Sequence, residues 1–310
     1  MSVGQLHRVV RAPGPAPADG SHPTMPSRPR SPQPSLRFRR IRALVLLLAV
    51  VLLVWGMVRL VGWAFSDHDA TGLADPVVPP PVTSESATED LANAVASRTE
   101  GIGGRAAVAV LDLDARITAT YAAEDEFSTA SIVKVDILLA VLLRTDGRLT
   151  DGQRAAAGRM IRNSDNGAAT TLWKQIGGAV GLADANQQLG LTQTQGGTKG
   201  RWGITRTTAA DQLRLLQVIY TDDSPLSAES RTYVRSLMSS VAKDQRWGVP
   251  AADDPGGEKA YVKNGWLPRS GGWIVNSIGQ VEHHGHRLLI VALSDGRTSK
   301  EDGIDVLEGI

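Results

Sequence analysis

The chain has no cysteine among its 310 residues, which excludes disulfide staples and a lipid-modified cysteine anchor. Its net charge is only +1 at pH 7, but that sum hides a division. Residues 1–42 hold eight arginines and one acid, Asp19, a net of +7, so the remainder carries 1 − 7 = −6. The long C-terminal part therefore lacks a basic patch, which argues against nucleic acid as a partner. Long apolar runs are missing too, with one exception: Ala43 to Phe65, 23 residues interrupted only by Arg59. At about 1.5 Å per residue, that run is long enough to cross a hydrocarbon layer of about 30 Å.

Arg37, Arg39, Arg40 and Arg42 precede the apolar run, and Asp67 and Asp69 follow it. The positive-inside rule then predicts a single-pass protein of the plasma membrane, with its N-terminus cytoplasmic and the rest exported. A cleaved signal peptide is the competing reading. The length of the run, and the lack of a small-x-small site after it, favour an uncleaved anchor. Prolines at 13, 15, 17, 23, 26, 29, 32 and 34 predict a disordered tail over 1–42. The stretch 66–88, with Pro79-Pro-Pro81, reads as a semi-rigid linker. Residues 89–310 are left as one domain, long enough for a sizeable core.

Within that domain the apolar spacing predicts a helix over Glu89–Ser97 and a hairpin from Ala106–Leu111 and Ile117–Tyr121. Further helices are expected from Ile132 to Leu143, from the Thr150-Asp-Gly-Gln153 capping box to about Ile161, over 168–175, after Thr208 and after Ser227. The glycine-rich segment 177–206 shows only a short helical pattern at Ala183–Leu189. Three β-like segments close the chain, Ala260–Gly265, Trp273–Gly279 and Leu288–Leu293, followed by a short helix holding Ile304 and Leu307. This order predicts an α+β fold, an antiparallel sheet packed against helices on both sides, with the two chain ends meeting in the sheet.

The chemistry concentrates at Ser131-Ile-Val-Lys134. Positions i and i+3 share a helix face, so the hydroxyl and amine can meet. From Ile132 to Leu143 only Lys134 and Asp136 are strongly polar, which predicts a buried helix and a desolvated lysine. Desolvation lowers a lysine's pKa, and a neutral amine can take a serine's proton. The spacing alone is not specific, because Ser240-Val-Ala-Lys243 repeats it. Further along lie Ser164-Asp165-Asn166 and Lys263-Asn264-Gly265.

These three motifs, in this order, resemble those of the serine β-lactamase and penicillin-binding protein superfamily, most closely its class A branch. The likeness extends over about 89–310 and includes the Val-Ala-Val-Leu-Asp hairpin, Thr207-Thr-Ala-Ala210 and the closing strands. It implies Ser131 as nucleophile, Lys134 as its base, and Ser164 as proton relay to the leaving nitrogen. It further implies Asn166, Asn264, Gly265 and Trp266 as substrate-binding positions, with Lys263 pairing with the substrate's carboxylate and tuning Ser164. Backbone amides of Ser131 and Trp266 would form the oxyanion hole. Asp165 is expected to face inward and brace its loop. The implied acyl donors are a β-lactam or a peptidoglycan stem peptide, with no cofactor and no metal.

Two departures bear on turnover. The resemblance implies a glutamate before the Thr-rich helix that activates the deacylating water, yet no Asp or Glu occurs between Asp184 and Asp211. Asn264 stands where a hydroxyl residue is usual. Efficient antibiotic hydrolysis is thereby disfavoured, and a D-Ala-D-Ala peptidase or a tethered wall sensor that acylates without turnover stays open beside a weak β-lactamase. His283, His284 and His286 read as an exposed turn rather than a metal site. Trp173, Trp202, Trp247 and Trp273 read as core, and Trp266 as the rim of the site.

Overall fold

The computed structural model describes residues 82–101, 103–255 and 260–310; the tail, the apolar span and most of the linker lie outside them. Among the described residues, no helix is long and apolar enough to cross a membrane.

The centre is a five-stranded antiparallel sheet built from β1 (Arg105–Asp112), β2 (Ile117–Tyr121), β5 (Tyr261–Arg269), β6 (Gly272–His283) and β7 (His286–Arg297). Its strand order is β2-β1-β7-β6-β5. The first and last strands of the domain therefore pair, Val108 opposite Ala292, and β5 is left at the edge. A separate two-residue pairing joins β3 (Phe127–Ser128) to β4 (Arg206–Thr207).

Side chains alternate across the sheet as the period of two requires. Ala107, Ala109, Leu289, Val291 and Leu293 face the main core, while Ala106 and Val108 face Val95 on the other side. That second side is covered by α1 (Ser84–Thr99) and by the C-terminal helix α8 (Lys300–Gly309). Helix α1 begins earlier than its apolar spacing predicts, and earlier than the expected linker boundary at 88. The reason is a capping box in which Thr83 and Ser86 exchange backbone and side-chain bonds.

The first side carries α2 (Val133–Arg144), α3 (Asp151–Arg162), α4 (Asn166–Ile176), α5 (Gly178–Leu189), α6 (Ala209–Tyr220) and α7 (Ala228–Ser239). Each N-cap expected from sequence is in place: Thr150 accepts from Gln153 N, Thr208 from Asp211 N and Ser227 from Ser230 N. Helix α2 is buried at every position from Val133 to Leu142. Each fully buried Leu, Ile or Val there stabilises the fold by about 1.5–3 kcal/mol, so this helix is the axle of the helical layer.

Two expectations change. Helix α5 starts at Gly178 rather than Ala183, since the glycines at 177, 178 and 181 dilute the apolar period by which a helix is read. The closing strands run well beyond their apolar cores, to Arg269, His283 and Arg297. Backbone pairing continues through residues such as Glu282 and Arg287, where apolar alternation has ended.

Candidate active site

The chain enters the site under tension. Asn276 Nδ2, on β6, donates to the carbonyls of Ser128 (2.8 Å) and Thr129 (3.0 Å). Thr129 N donates to the Thr205 carbonyl at 2.8 Å. Pinned this way, the backbone turns through Ala130 with φ of 48°, a left-handed conformation that costs a non-glycine residue about 1–3 kcal/mol. A single tight turn, Ala130–Ile132, then leads into α2 and presents Ser131, partly exposed, at its head.

Lys134 lies one turn further and is 0 % exposed. Its Nζ has four oxygen neighbours: Ser131 Oγ at 2.9 Å, Ser164 O at 2.6 Å, Ser164 Oγ at 2.8 Å and Asn166 Oδ1 at 2.8 Å. A carbonyl and an amide oxygen can only accept. In a neutral amine those two take both hydrogens, which leaves the nitrogen lone pair for a serine hydroxyl. Burial pushes Lys134 down to about 7, with Asp165 pulling weakly the other way. The neutral form is thus accessible near neutral pH.

Ser164 sits between α3 and α4 with φ of 54°, a second strained residue in the cluster. Its Oγ lies between two lysines, because Lys263 Nζ donates to it at 3.1 Å. Lys263 is 0 % exposed, also donates to the Asn264 carbonyl at 2.7 Å, and is held well below an ordinary lysine by burial first and by Lys134 second. Asp165 braces its loop by a different route from the inward one expected. Its carboxylate caps α4, accepting from Ala168 N at 2.8 Å, and lies 3.7 Å from Arg159 Nε.

Strand β5 sorts the third motif by the parity of its positions. Lys263 and Gly265 face the helices, and a Cβ on Gly265 would stand 2.6 Å from Ser131 N and 2.8 Å from Ile132 N. Only glycine lets the edge strand come so close to the Ser131 amide. Asn264 and Trp266 face the other way. Both amide hydrogens of Asn264 go to the carbonyls of Gln245 (2.8 Å) and Trp247 (2.9 Å), so it has no free donor for a substrate carboxylate. The Trp266 ring packs with Trp247, centroids 6.0 Å apart, on the α8 side; what it offers the cleft is backbone.

A different tryptophan reaches the cluster. Trp202, read from sequence as core, sits with its ring centroid 4.9 Å from Lys134 Nζ, and its Nε1 donates to Thr170 Oγ1 at 3.2 Å. The loop that carries it is closed tightly: Gly197 N donates to Thr205 Oγ1 at 3.1 Å, and a Cβ on Gly197 would meet the Arg201 carbonyl at 2.1 Å. Trp202 and Asn276 are the two neighbours of the site that sequence reasoning missed. The lack of any carboxylate between Asp184 and Asp211 was the signal that this segment does something other than supply a base.

The look-alike motifs are elsewhere. Ser240 caps the end of α7, and Ser294 is a buried β7 residue donating to the Val275 carbonyl. The histidines fall at the β6–β7 turn as expected. His286 Nδ1 pairs with Asp112 at 2.7 Å, while Asp254, His283 and His284 can bring one ligand atom each within 4.8 Å of the others.

Comparison with known proteins fixes the class. A family model described as the Beta-lactamase enzyme family matches residues 153–310, just over half of the chain, and the chain belongs to that family. The matched span includes Ser164 and Lys263 and begins after Ser131 and Lys134. Among curated proteins, "Putative lipoprotein LppW" of Mycobacterium tuberculosis (strain H37Rv) is 27 % identical over 203 residues, 61 % of this chain. The chain spans 63 % of that relative's length, and the Mycobacterium bovis protein of the same name matches equally. A β-lactamase from Xanthomonas campestris covers 74 % of this chain and 96 % of its own at 20 % identity, with a TM-score of 0.61. A variant of PBP-A, solved as an acyl-enzyme complex with penicillin G, covers 74 % and 95 % at 20 % identity, TM-score 0.62. These likenesses establish the serine β-lactamase and penicillin-binding fold.

Proposed function

We propose that the chain is a membrane-associated acyl-serine enzyme whose acyl donor is a β-lactam or a peptidoglycan stem peptide. The observation that supports it most is the single cluster in which Lys134 Nζ lies 2.9 Å from Ser131 Oγ and 2.8 Å from Ser164 Oγ. Ser131 attacks the acyl carbonyl and its proton passes to neutral Lys134. The oxyanion forms against the backbone amides of Ser131 and Trp266. Ser164 hands a proton to the leaving nitrogen, and Lys263 both steers Ser164 and pairs with a substrate carboxylate, whose negative charge offsets the burial that otherwise disfavours the lysine's charged form. Asn166, beside Lys134, holds the substrate amide.

Turnover is slow on this reading, because no carboxylate lies between Asp184 and Asp211 to act as a base. That favours a peptidase or sensor that stays acylated by β-lactams, and leaves at most a weak β-lactamase. For location, the mycobacterial relatives bear the word lipoprotein in their names, whereas this chain has no cysteine to lipidate. We assign the membrane contact instead to Ala43–Phe65, which membrane fractionation of the full chain and of a form lacking that run would test.

The deciding experiment adds penicillin G to the purified full-length chain and follows intact mass and free drug together. The expected result is a lasting adduct on Ser131 with little drug consumed. Rapid drug loss would instead identify a β-lactamase. No mass shift, or the same shift in Ser131→Ala, overturns the proposal.

A further inference from the structure

We propose that Trp202 is a water-excluding lid over Lys134 that holds an acyl group on Ser131 against hydrolysis, so that the cleft captures acyl donors rather than consuming them. This rests on the acyl-serine reading above and adds the residue that sets the lifetime of the adduct.

The geometry that carries it is local. Four oxygens crowd Lys134 Nζ, two from Ser164 and one each from Ser131 and Asn166. The indole face closes the remaining approach, its centroid 4.9 Å from the nitrogen, and Lys134 is left with 0 % exposure. The ring is tethered from both ends. Its Nε1 bonds Thr170 Oγ1 (3.2 Å), which in turn donates to the Asn166 carbonyl (2.9 Å), so the lid is tied to the same helix start that contacts the lysine. Behind it, Thr205 accepts from Thr129 N at 2.8 Å, tying the loop to the turn that presents Ser131.

Hydrolysis of an acyl-serine needs one water in a defined place. Its oxygen attacks the ester carbonyl while its proton goes to the neutral Lys134 amine. The tetrahedral adduct then collapses, the bond to Ser131 Oγ breaks, and Oγ takes that proton back, releasing the free acid and the serine. An aromatic face against Nζ occupies the space that water requires. Acylation escapes the block, because the Ser131 hydroxyl reaches the amine along its own 2.9 Å contact. The same lid therefore lets the first half of the reaction proceed and starves the second.

The test uses the full-length chain, loaded with penicillin G, freed of excess drug and followed by intact mass from pH 6 to 9. Trp202→Ala should lose its adduct at least about tenfold faster than the parent, with a rate that climbs with pH as Lys134 loses its proton. Trp202→Phe, which keeps a ring but not the Thr170 bond, should shorten the lifetime only about threefold. Thr170→Val, which frees the indole without opening a cavity, should shorten the lifetime about threefold and decides the matter if Trp202→Ala does not fold. Adduct decay that ignores all three substitutions overturns the lid and leaves the acyl-serine reading standing. Failure of the unsubstituted chain to form any adduct removes that reading, and the lid with it.

Discussion

The two walls of the cleft are built on different principles. The helical wall holds Ser164 on strained backbone and Ser131 directly after a strained turn, Ala130 and Ser164 both having positive φ, with Lys134 on the helix that follows. The sheet wall holds Lys263 and Gly265 on an ordinary edge strand in regular register with β6. One wall fixes its chemistry by forcing a few residues into costly conformations that their surroundings over-determine; the other does so by alternation alone. The difference predicts where the molecule tolerates change. Side chains on the strained wall are bound into one another's hydrogen bonds, whereas on the strand it is the absence of a side chain, at Gly265, that matters most.

The largest effect that would break this contrast is expected at the lysines. Lys134→Met should lower the rate of acylation by about 10^3-fold, the middle of the range for removing a positioned base, and Lys263→Met by about 10^2-fold; stopped-flow or intact-mass rates on penicillin G would measure both. An equal loss at the two positions would mean that the walls share the proton work. Gly265→Ala comes next. Its Cβ would press on Ser131 N at 2.6 Å, so acylation should fall about a hundredfold, with a stability loss of about 1–3 kcal/mol by denaturant titration.

A pH profile sharpens the comparison further. Lys134 is depressed to about 7, so it accepts a proton only above that value, and acylation should fall about tenfold per unit below it. Stability should carry the matching signature. Between about 7 and 10.5 the unfolded lysine holds a proton that the folded one has lost, and stability therefore rises with pH across that window. Unfolding curves at pH 7 and pH 9, compared between the parent and Lys134→Met, should show this slope shrink in the variant. The smallest effect is expected at Asn264. Asn264→Ala strands the carbonyls of Gln245 and Trp247 and should cost about 1–3 kcal/mol in denaturant titration.

The same contrast explains what could be read without coordinates. Ser131, Lys134, Ser164 and Lys263 were legible because their residue types are rare in such settings: a lysine in an otherwise apolar helix is an anomaly that sequence displays. The layered antiparallel fold and its caps were legible because periods of two and 3.6, and Thr or Ser before a helix, are local signals. The directions of Asn264 and Trp266 were missed although the period of two contains them. Once Lys263 faces the helices, its immediate neighbour and the residue after Gly265 must face α8. Trp202 was missed for a deeper reason. Its place depends on a loop closed by contacts between residues far apart in sequence, such as Thr129 with Thr205, and no local pattern encodes that closure.

The Asn276 clamp carries an experimental dividend. Its amide nitrogen grips the carbonyls of Ser128 and Thr129, while its Oδ1 accepts from Ser294 N at 3.1 Å. Any swing of the serine turn away from its working pose must therefore loosen a side chain that also guards a backbone proton deep in the neighbouring strand. Amide exchange at Ser294 becomes a remote gauge of how firmly Ser131 is held, readable by NMR with nothing bound in the cleft.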